Sequence, residues 1–333
     1  MKRVTISDVA QLANISKSTV SQFLNNRFDY MAEDTKKRIE AAIKELGYRP
    51  NIVARSLKQK STSTIGVIVA NILHAFSTQV IRAIEDICHL NDIHIIVCNA
   101  DDDPIKEKRY IDMLRAKQLD GIIIFPTGEN IELYREMVEE KYPIVFVDRL
   151  VPDVQIPSVM LDNERAAELA VQHLIGQGYE RIGVITNVIR NVMPRMERIE
   201  GYKKTLQRNG IAVNEGFIKS LAVDHIQEGL EQMLQLDPPI QAVLAGNDLT
   251  MMEILKYAKK HDVKIPADLA VVGIDDLSFA SFYEPALTVV AQPAGEIGKK
   301  AAELLLSRIQ KKEPEEEQDV YRFEPTLIVR NSC

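Results

Sequence analysis

From residue 65 onward, largely apolar runs recur at 65–69, 93–97, 121–125, 144–147, 182–185, 242–245 and 270–274. Each is followed or separated by an amphipathic stretch of helical period. A strand that is apolar along its whole length must be covered on both faces. Parallel strands joined by crossover helices provide that cover. About 270 residues of this alternation exceed one ordinary sheet, so the pattern predicts two α/β subdomains. In such folds ligands bind at the carboxyl ends of the strands, here in the cleft between the two subdomains.

The first 63 residues follow a different rule. Val9, Ala10, Leu12 and Ala13 have helical spacing, Asn14-Ile15-Ser16 interrupts them, and Ser16 is a good N-cap for a second short helix. On that second helix Val20, Phe23 and Leu24 face inward. Lys17, Ser18, Ser21 and Gln22 face outward, each able to hydrogen-bond a base or a phosphate. Two short helices joined this way make either a helix-turn-helix or an ordinary helical hairpin with a solvated face. A third helix is expected from about 33 to 46, with Ile39, Ala42, Ile43 and Leu46 inward, Gly47 as its C-terminal stop and Pro50 barring continuation. Residues 51–57 have room for two helical turns, capped by Asn51 and too short to be stable alone. The polar, basic linker 58–64 follows. Such a pair is a candidate for ordering on binding.

The net charge of −7 conceals an asymmetry. Residues 1–63 hold 12 basic and 6 acidic side chains, and the rest hold 29 and 42. A basic head on an acidic body suits a separate nucleic-acid module, with the body repelling phosphate. Cys88, Cys98 and Cys333 lack metal-ligand spacing and are expected as free thiols in a reducing cytoplasm. There is no apolar run of about 18 residues and no secretion signal, so neither a membrane span nor export is expected. No Gly-x-Gly-x-x-Gly after a strand, phosphate-binding loop or Gly-x-Ser-x-Gly elbow points to an enzyme. Asp101-Asp102-Asp103 precedes Pro104 and reads as a helix-entry loop rather than a cation site. Lys311-Lys312-Glu313-Pro314-Glu315-Glu316-Glu317 reads as a solvated turn.

Three segments carry a resemblance: Thr5-Ile6-Ser7-Asp8-Val9-Ala10, Ser16-Lys17-Ser18-Thr19-Val20-Ser21 and Leu46-Gly47-Tyr48-Arg49-Pro50-Asn51. They are similar to the headpiece of the lac repressor/galactose repressor (LacI/GalR) family, and the similarity continues through Val272-Gly273-Ile274-Asp275-Asp276 and Pro285-Ala286-Leu287-Thr288. The resemblance implies an all-α helix-turn-helix headpiece on a periplasmic-binding-protein-like α/β core of two doubly wound parallel-sheet subdomains. It implies a headpiece at 1–50, a hinge helix and linker at 51–63, and a core at 64–333. The core subdomains would be approximately 64–163 plus 292–322, and 164–291 plus 323–333. The implied activity is that of a ligand-controlled homodimeric transcription regulator on double-stranded operator DNA, with no cofactor, metal or catalytic residue. DNA contacts fall on Thr5, Ser16, Lys17, Ser18, Thr19, Ser21, Gln22 and Asn25. In the hinge they fall on Asn51, Ala54 and Arg55, and on Leu57 as the wedge in the minor groove. Three departures stand out. Asn14 replaces a usual Gly but tolerates a left-handed backbone. Ala32 replaces a Ser or Thr cap. Gln22 replaces Arg and suits adenine, so a different half-site is expected.

On the family's fold, the effector contacts are Asn71, Phe76, Thr127, Arg149, Asp162, Arg198, Asn247, Asp275 and Gln292. Asp275, Asn247 and Arg198 supply the paired donors and acceptors that a polyol needs, and Phe76 supplies a stacking face. Of two neighbours, Asn247 is expected at the ligand and Asp248 as a helix cap. Taken singly, an Asp or Asn after a strand is more often a cap than a ligand contact. Arg149, Arg190, Arg195 and Arg198 admit a sugar acid beside a neutral sugar, and salt bridges explain such arginines equally well. The effector is expected to act as an inducer, with a corepressor or partner protein of opposite sign as the alternative. A periplasmic sugar-binding protein would match the body but not the basic head. With no heptad-bearing tail after a strand at 321–329, a dimer is expected rather than a tetramer.

Overall fold

The computed structural model describes residues 4–25, 27–28, 31–49, 61–189, 192–311 and 319–333. Asn51, Ala54, Arg55, Leu57, Arg190 and most of the charged turn after Lys311 lie outside the described residues. The chain divides into two compact units, Met1–Thr62 and Ser63–Cys333.

In the first unit α1 (Ile6–Leu12), α2 (Lys17–Leu24) and α3 (Glu33–Leu46) enclose Val9, Ala10, Ala13, Val20, Ile39 and Ala42. Leu12, expected in the apolar stripe, is instead 44% exposed at the C-terminal end of α1. Thr5 and Asp8 form a reciprocal capping box at the start of α1. Asn14 takes the left-handed conformation that the turn requires, at φ 51°, and Arg38 from α3 donates to the Ala13 and Asn14 carbonyls. Gly47 closes α3 in a left-handed C-cap at φ 58°. Ala32 leaves the start of α3 without a side-chain cap. Glu33 and Asp34 in the first turn offset part of that loss through the helix dipole.

The second unit contains two six-stranded sheets. The first has the order β11-β5-β4-β3-β1-β2, with β1 (Thr64–Val69), β2 (His94–Asn99), β3 (Gly121–Ile124), β4 (Ile144–Val147), β5 (Ser158–Leu161) and β11 (Val320–Phe323), all parallel. The second has the order β12-β10-β9-β8-β6-β7, with β6 (Ile182–Asn187), β7 (Ile218–Leu221), β8 (Ala242–Ala245), β9 (Ala270–Ile274), β10 (Thr288–Ala291) and β12 (Thr326–Ile328). Only β12 runs antiparallel to its neighbour. The expected strand at 321–329 is therefore two short strands in different sheets. The chain turns between Phe323 and Thr326, and Phe323 still pairs with Leu161 of the first sheet. No apolar run marks β7, which is half-buried along its length as an edge strand.

The chain passes between the two halves three times. After β5, α7 (Asn163–Gly176) packs Ala166, Ala170, Val171 and Leu174 on the second sheet. After β10, α11 (Ala294–Ile309) returns to the first sheet, burying Ile297, Ala301 and Leu305 beside α4 (Ala75–Leu90). The passage between β11 and β12 is the third. Carboxyl ends of strands from both halves border a common cleft. Cys88, Cys98 and Cys333 are free thiols.

Candidate functional site

A pocket of about 50 Å³ opens between the strand ends. His74 and Phe76 follow β1, Phe125 follows β3, and Asp148 and Arg149 follow β4. From the other half come Arg195 and Arg198 on α8 (Met193–Arg208), Asn247 after β8 and Asp275 after β9. Gln292 enters from the β10–α11 crossover. Six of the nine residues expected at the effector thus share one pocket: Phe76, Arg149, Arg198, Asn247, Asp275 and Gln292.

Each is held by its neighbours. Arg198, 5% exposed, donates Nε to Asn163 Oδ1 at 2.9 Å and Nη1 to the Gly246 carbonyl at 2.6 Å. Asp275 sits at a positive φ of 91° and accepts from Gln292 Nε2 at 2.5 Å and from the Asp248 amide at 3.2 Å. Burial first, then the Asp248 charge, push its carboxyl above the usual range, and Arg198, Gln292 and His74 act against that rise. Phe76 meets Phe125 edge to face at 6.4 Å.

Asn247 lines the pocket as expected, but it also takes the helix cap expected of Asp248. Asn247 Oδ1 accepts from the Thr250 amide at 2.9 Å, capping α10 (Asp248–Lys260), and its Nδ2 donates to Asn187 Oδ1 at 2.6 Å. The Asp248 carboxylate instead crosses the cleft to His74 Nδ1 and the Ala75 amide, at 2.5 and 2.7 Å. The sequence expectation failed because position relative to the helix start, not residue type, decides which of two adjacent polar residues caps. Burial would lower the His74 pKa, but the Asp248 bond and charge outweigh it and leave the imidazole raised. Asp248 is held below the usual carboxylate range: burial alone would raise it, and the His74 bond and charge prevail.

A second cross-cleft group centres on Asp102, which lies 2.8 Å from Arg149 Nη1 and 3.5 Å from Arg195 Nη2. The two guanidiniums overcome the burial that would otherwise raise the Asp102 pKa. Asp103 does cap α5 (Pro104–Ala116), as the helix-entry reading required. Asp102 points elsewhere, and no spacing signal could have joined it to an arginine 93 positions away. His74, Asn163 and Asn187 escaped the sequence reading for the same reason.

Asn71, Thr127 and Asp162 do not line this pocket. Asn71 Oδ1 accepts from the Leu73 amide, the Thr127 amide donates to buried Glu107, and Asp162 caps α7.

In the first unit, Lys17, Ser18 and Gln22 are exposed on α2, and Ser21 is half-buried. Ser16 caps α2 by accepting from the Thr19 amide at 3.1 Å, and its hydroxyl meets those of Ser18 and Thr19. Asn25 donates to the Ser21 carbonyl, and Thr5 stays in its capping box. These bonds engage both ends of α2 and leave Lys17, Ser18 and Gln22 exposed on its polar face, as a groove-reading helix needs.

A helix-turn-helix unit followed by a two-lobed core with a polar cleft defines a ligand-binding regulator, and comparison with known proteins agrees. The family described as "Bacterial regulatory proteins, lacI family" matches residues 5–51. The family described as "Periplasmic binding proteins and sugar binding domain of LacI family" matches residues 62–326. A probable HTH-type transcriptional regulator, EndR of Paenibacillus polymyxa, is 47% identical over 332 residues, 98% of each chain. Among solved structures, the lac repressor dimer bound to operator and an anti-inducer superposes with a TM-score of 0.86 at 26% identity, covering 99% of each chain. A CelR–cellobiose complex superposes at 0.73 and 27% identity, covering 99% of this chain and all of that one. This chain belongs to the LacI family and is a ligand-responsive, DNA-binding transcription regulator. No helix among the described residues is long and apolar enough to cross a membrane.

Proposed function

We propose that the protein is a cytoplasmic, homodimeric repressor of carbohydrate-catabolic genes, released from its operator by a sugar or sugar-acid effector. The observation that carries this reading is the cleft. Phe76 offers an aromatic face, and Arg198, Asp275 and Gln292 converge on the same pocket with mixed donors and acceptors, the pattern that several adjacent hydroxyls require. The cellobiose complex of one relative and the operator-bound dimer of another support the same reading.

In this proposal residues 1–50 read the half-site through Lys17, Ser18 and Gln22, and residues 51–63 are the hinge. Asn51, Ala54, Arg55 and Leu57 of that hinge act at the central minor groove. Residues 64–163 with 292–322, and 164–291 with 323–333, are the two lobes that move on ligand binding. Ligand lowers operator affinity by binding the DNA-free arrangement more tightly, since only a differential affinity shifts the populations.

The test is a gel-shift titration with genomic fragments, repeated with each sugar or sugar acid that raises the melting temperature. A salt-sensitive, specific complex weakened by a hit is the expected result. A complex tightened by the hit reverses the sign of coupling, and the lack of any specific complex removes the regulator reading.

A further inference from the structure

Three guanidiniums line the cleft among the described residues: Arg149, Arg195 and Arg198, with residue exposures of 6% for Arg149 and 5% for Arg198. Buried cations require anions close by. Four carboxylates are within reach, and two of them are already engaged. Asp248 is bonded to His74. Asp275 accepts from Gln292 and from the Asp248 amide, and burial raises its pKa. Asp102 and Asp148 remain for three arginines. Arg149 takes both, at 2.8 and 3.4 Å, Arg195 shares Asp102 at 3.5 Å, and Arg198 bonds only to neutral oxygens. Arg198 thus has no carboxylate hydrogen-bonded to it among the described residues.

Two pocket-lining residues each keep a buried polar atom without a hydrogen-bond partner. Arg149 Nε has an ion-pair neighbour in Asp148 but no hydrogen-bonded acceptor, and Gln292 Oε1 has no donor. Arg149 therefore asks for an acceptor, and Gln292 asks for a hydroxyl. Asp102 does not line the pocket, whereas Arg149 and Arg195 both do. Its carboxylate orients the two guanidiniums from outside the ligand space.

We propose that the effector carries a carboxylate, bound between Arg149 of one lobe and Arg195 of the other, while Arg198, Asp275 and Gln292 take its hydroxyls. The effector class is then the sugar acids: uronates, aldonates or their keto derivatives. This rests on the sugar-responsive reading above and narrows it. Planar guanidiniums suit a carboxylate better than a hydroxyl, because each offers parallel N–H donors and a full charge. A carboxylate held from both lobes also ties them together, so the charge contributes to closure as well as to recognition. Asp102 is a positioning residue in this scheme.

Calorimetric titration of the full chain with matched sets tests the proposal: galacturonate, galacturonamide and galactose; glucuronate, glucuronamide and glucose; gluconate, a 2-keto-aldonate and sorbitol. At least one acid is expected to bind about tenfold or more tightly than its amide and its neutral parent. That advantage should shrink with added salt, disappear in Arg195→Gln and partly return in Arg195→Lys. The amide comparison uses the unaltered protein, so it stands even if a variant fails to fold. Equal binding of acid, amide and neutral sugar overturns the carboxylate subsite and leaves a sugar-responsive regulator in place. Binding of none of them overturns both.

Discussion

His74 Nδ1 and Asp248 Oδ1 stand 2.5 Å apart although 174 positions separate them in the chain, and the bond joins the two lobes across the effector cleft. The Ala75 amide donates to the other Asp248 oxygen at 2.7 Å, so one carboxylate of the second lobe holds both the imidazole and the start of α4 in the first. The contact depends on pH. Asp275 and Arg195 also face the imidazole, the first raising its pKa and the second lowering it. With the folded pKa raised above 6.5, the imidazolium contributes stability in full below 6.5 and loses it as pH rises through the raised value. Asp248 acts in the opposite sense. Its pKa is lowered from 3.8, so its share is present above 3.8 and lost as pH falls through the lowered value. His74→Gln should therefore melt about 2–4 °C below the parent in mildly acidic buffer, equivalent to about 1 kcal/mol. The gap should close toward alkaline pH. A gap of constant size across that range would show that the contact acts by shape alone.

Ala32 marks a second site where a small change has a calculable sign. Its backbone is extended, at φ −62° and ψ 146°, and no side chain accepts from the free amides of the first turn of α3. Ala32→Ser restores that acceptor and should stabilise the first unit by about 1 kcal/mol. Hydrogen exchange in the full chain reads this directly. The amides of Asp34 and Thr35 should exchange more slowly in the variant while those of the core are unchanged.

The limits of the sequence as a guide have physical causes. Continuous apolar runs such as Ile144 to Val147 identify central strands, because a strand covered on both faces has no polar residue to spare. Edge strand β7 is half-buried and carries no such signature. In the cleft, Phe76, Arg149, Arg198, Asn247, Asp275 and Gln292 were expected from placement on the family's fold, and all six line the pocket. Asp102, His74 and Asp248 act through partners on the opposite lobe, and local pattern carries no information about such pairs. Asn247 and Asp248 are the sharpest case: one residue of register separates the helix cap from the carboxylate that bonds across the cleft.

Gly201 explains how α8 comes to hold its arginines where it does. A Cβ at this position would lie 2.4 Å from the Glu164 carbonyl oxygen and 2.9 Å from its Cα, so α8 crosses the start of α7 backbone to backbone. Alanine ordinarily stabilises a helix interior by about 1 kcal/mol over glycine. Here the neighbour is main chain and cannot rotate away, so Gly201→Ala should destabilise the core by about 1–3 kcal/mol in urea titration. Because Arg195 and Arg198 precede it on the same helix, effector binding should weaken as well. A more stable variant with unchanged binding would refute the close crossing.

Gln22 is exposed on α2, between half-buried Ser21 and the packed Phe23, so its side chain can be replaced without disturbing the three-helix core. It carries an amide with one donor and one acceptor end, matched to adenine N6 and N7 in the major groove, whereas arginine is matched to guanine O6 and N7. Lys17 and Ser18 beside it are also exposed and stay the same in the variant, so a change at position 22 alone should alter the base preferred at one step of each half-site. Gln22→Arg should move that preference from adenine toward guanine, with discrimination at that step of about 1–3 kcal/mol. Selection from a pool of randomised operators, followed by sequencing, measures the shift for both proteins at the same salt concentration. Arginine adds a positive charge, so non-specific affinity should rise too and fall more steeply with salt. Recovery of the same half-site by both proteins would mean that Gln22 does not read a base.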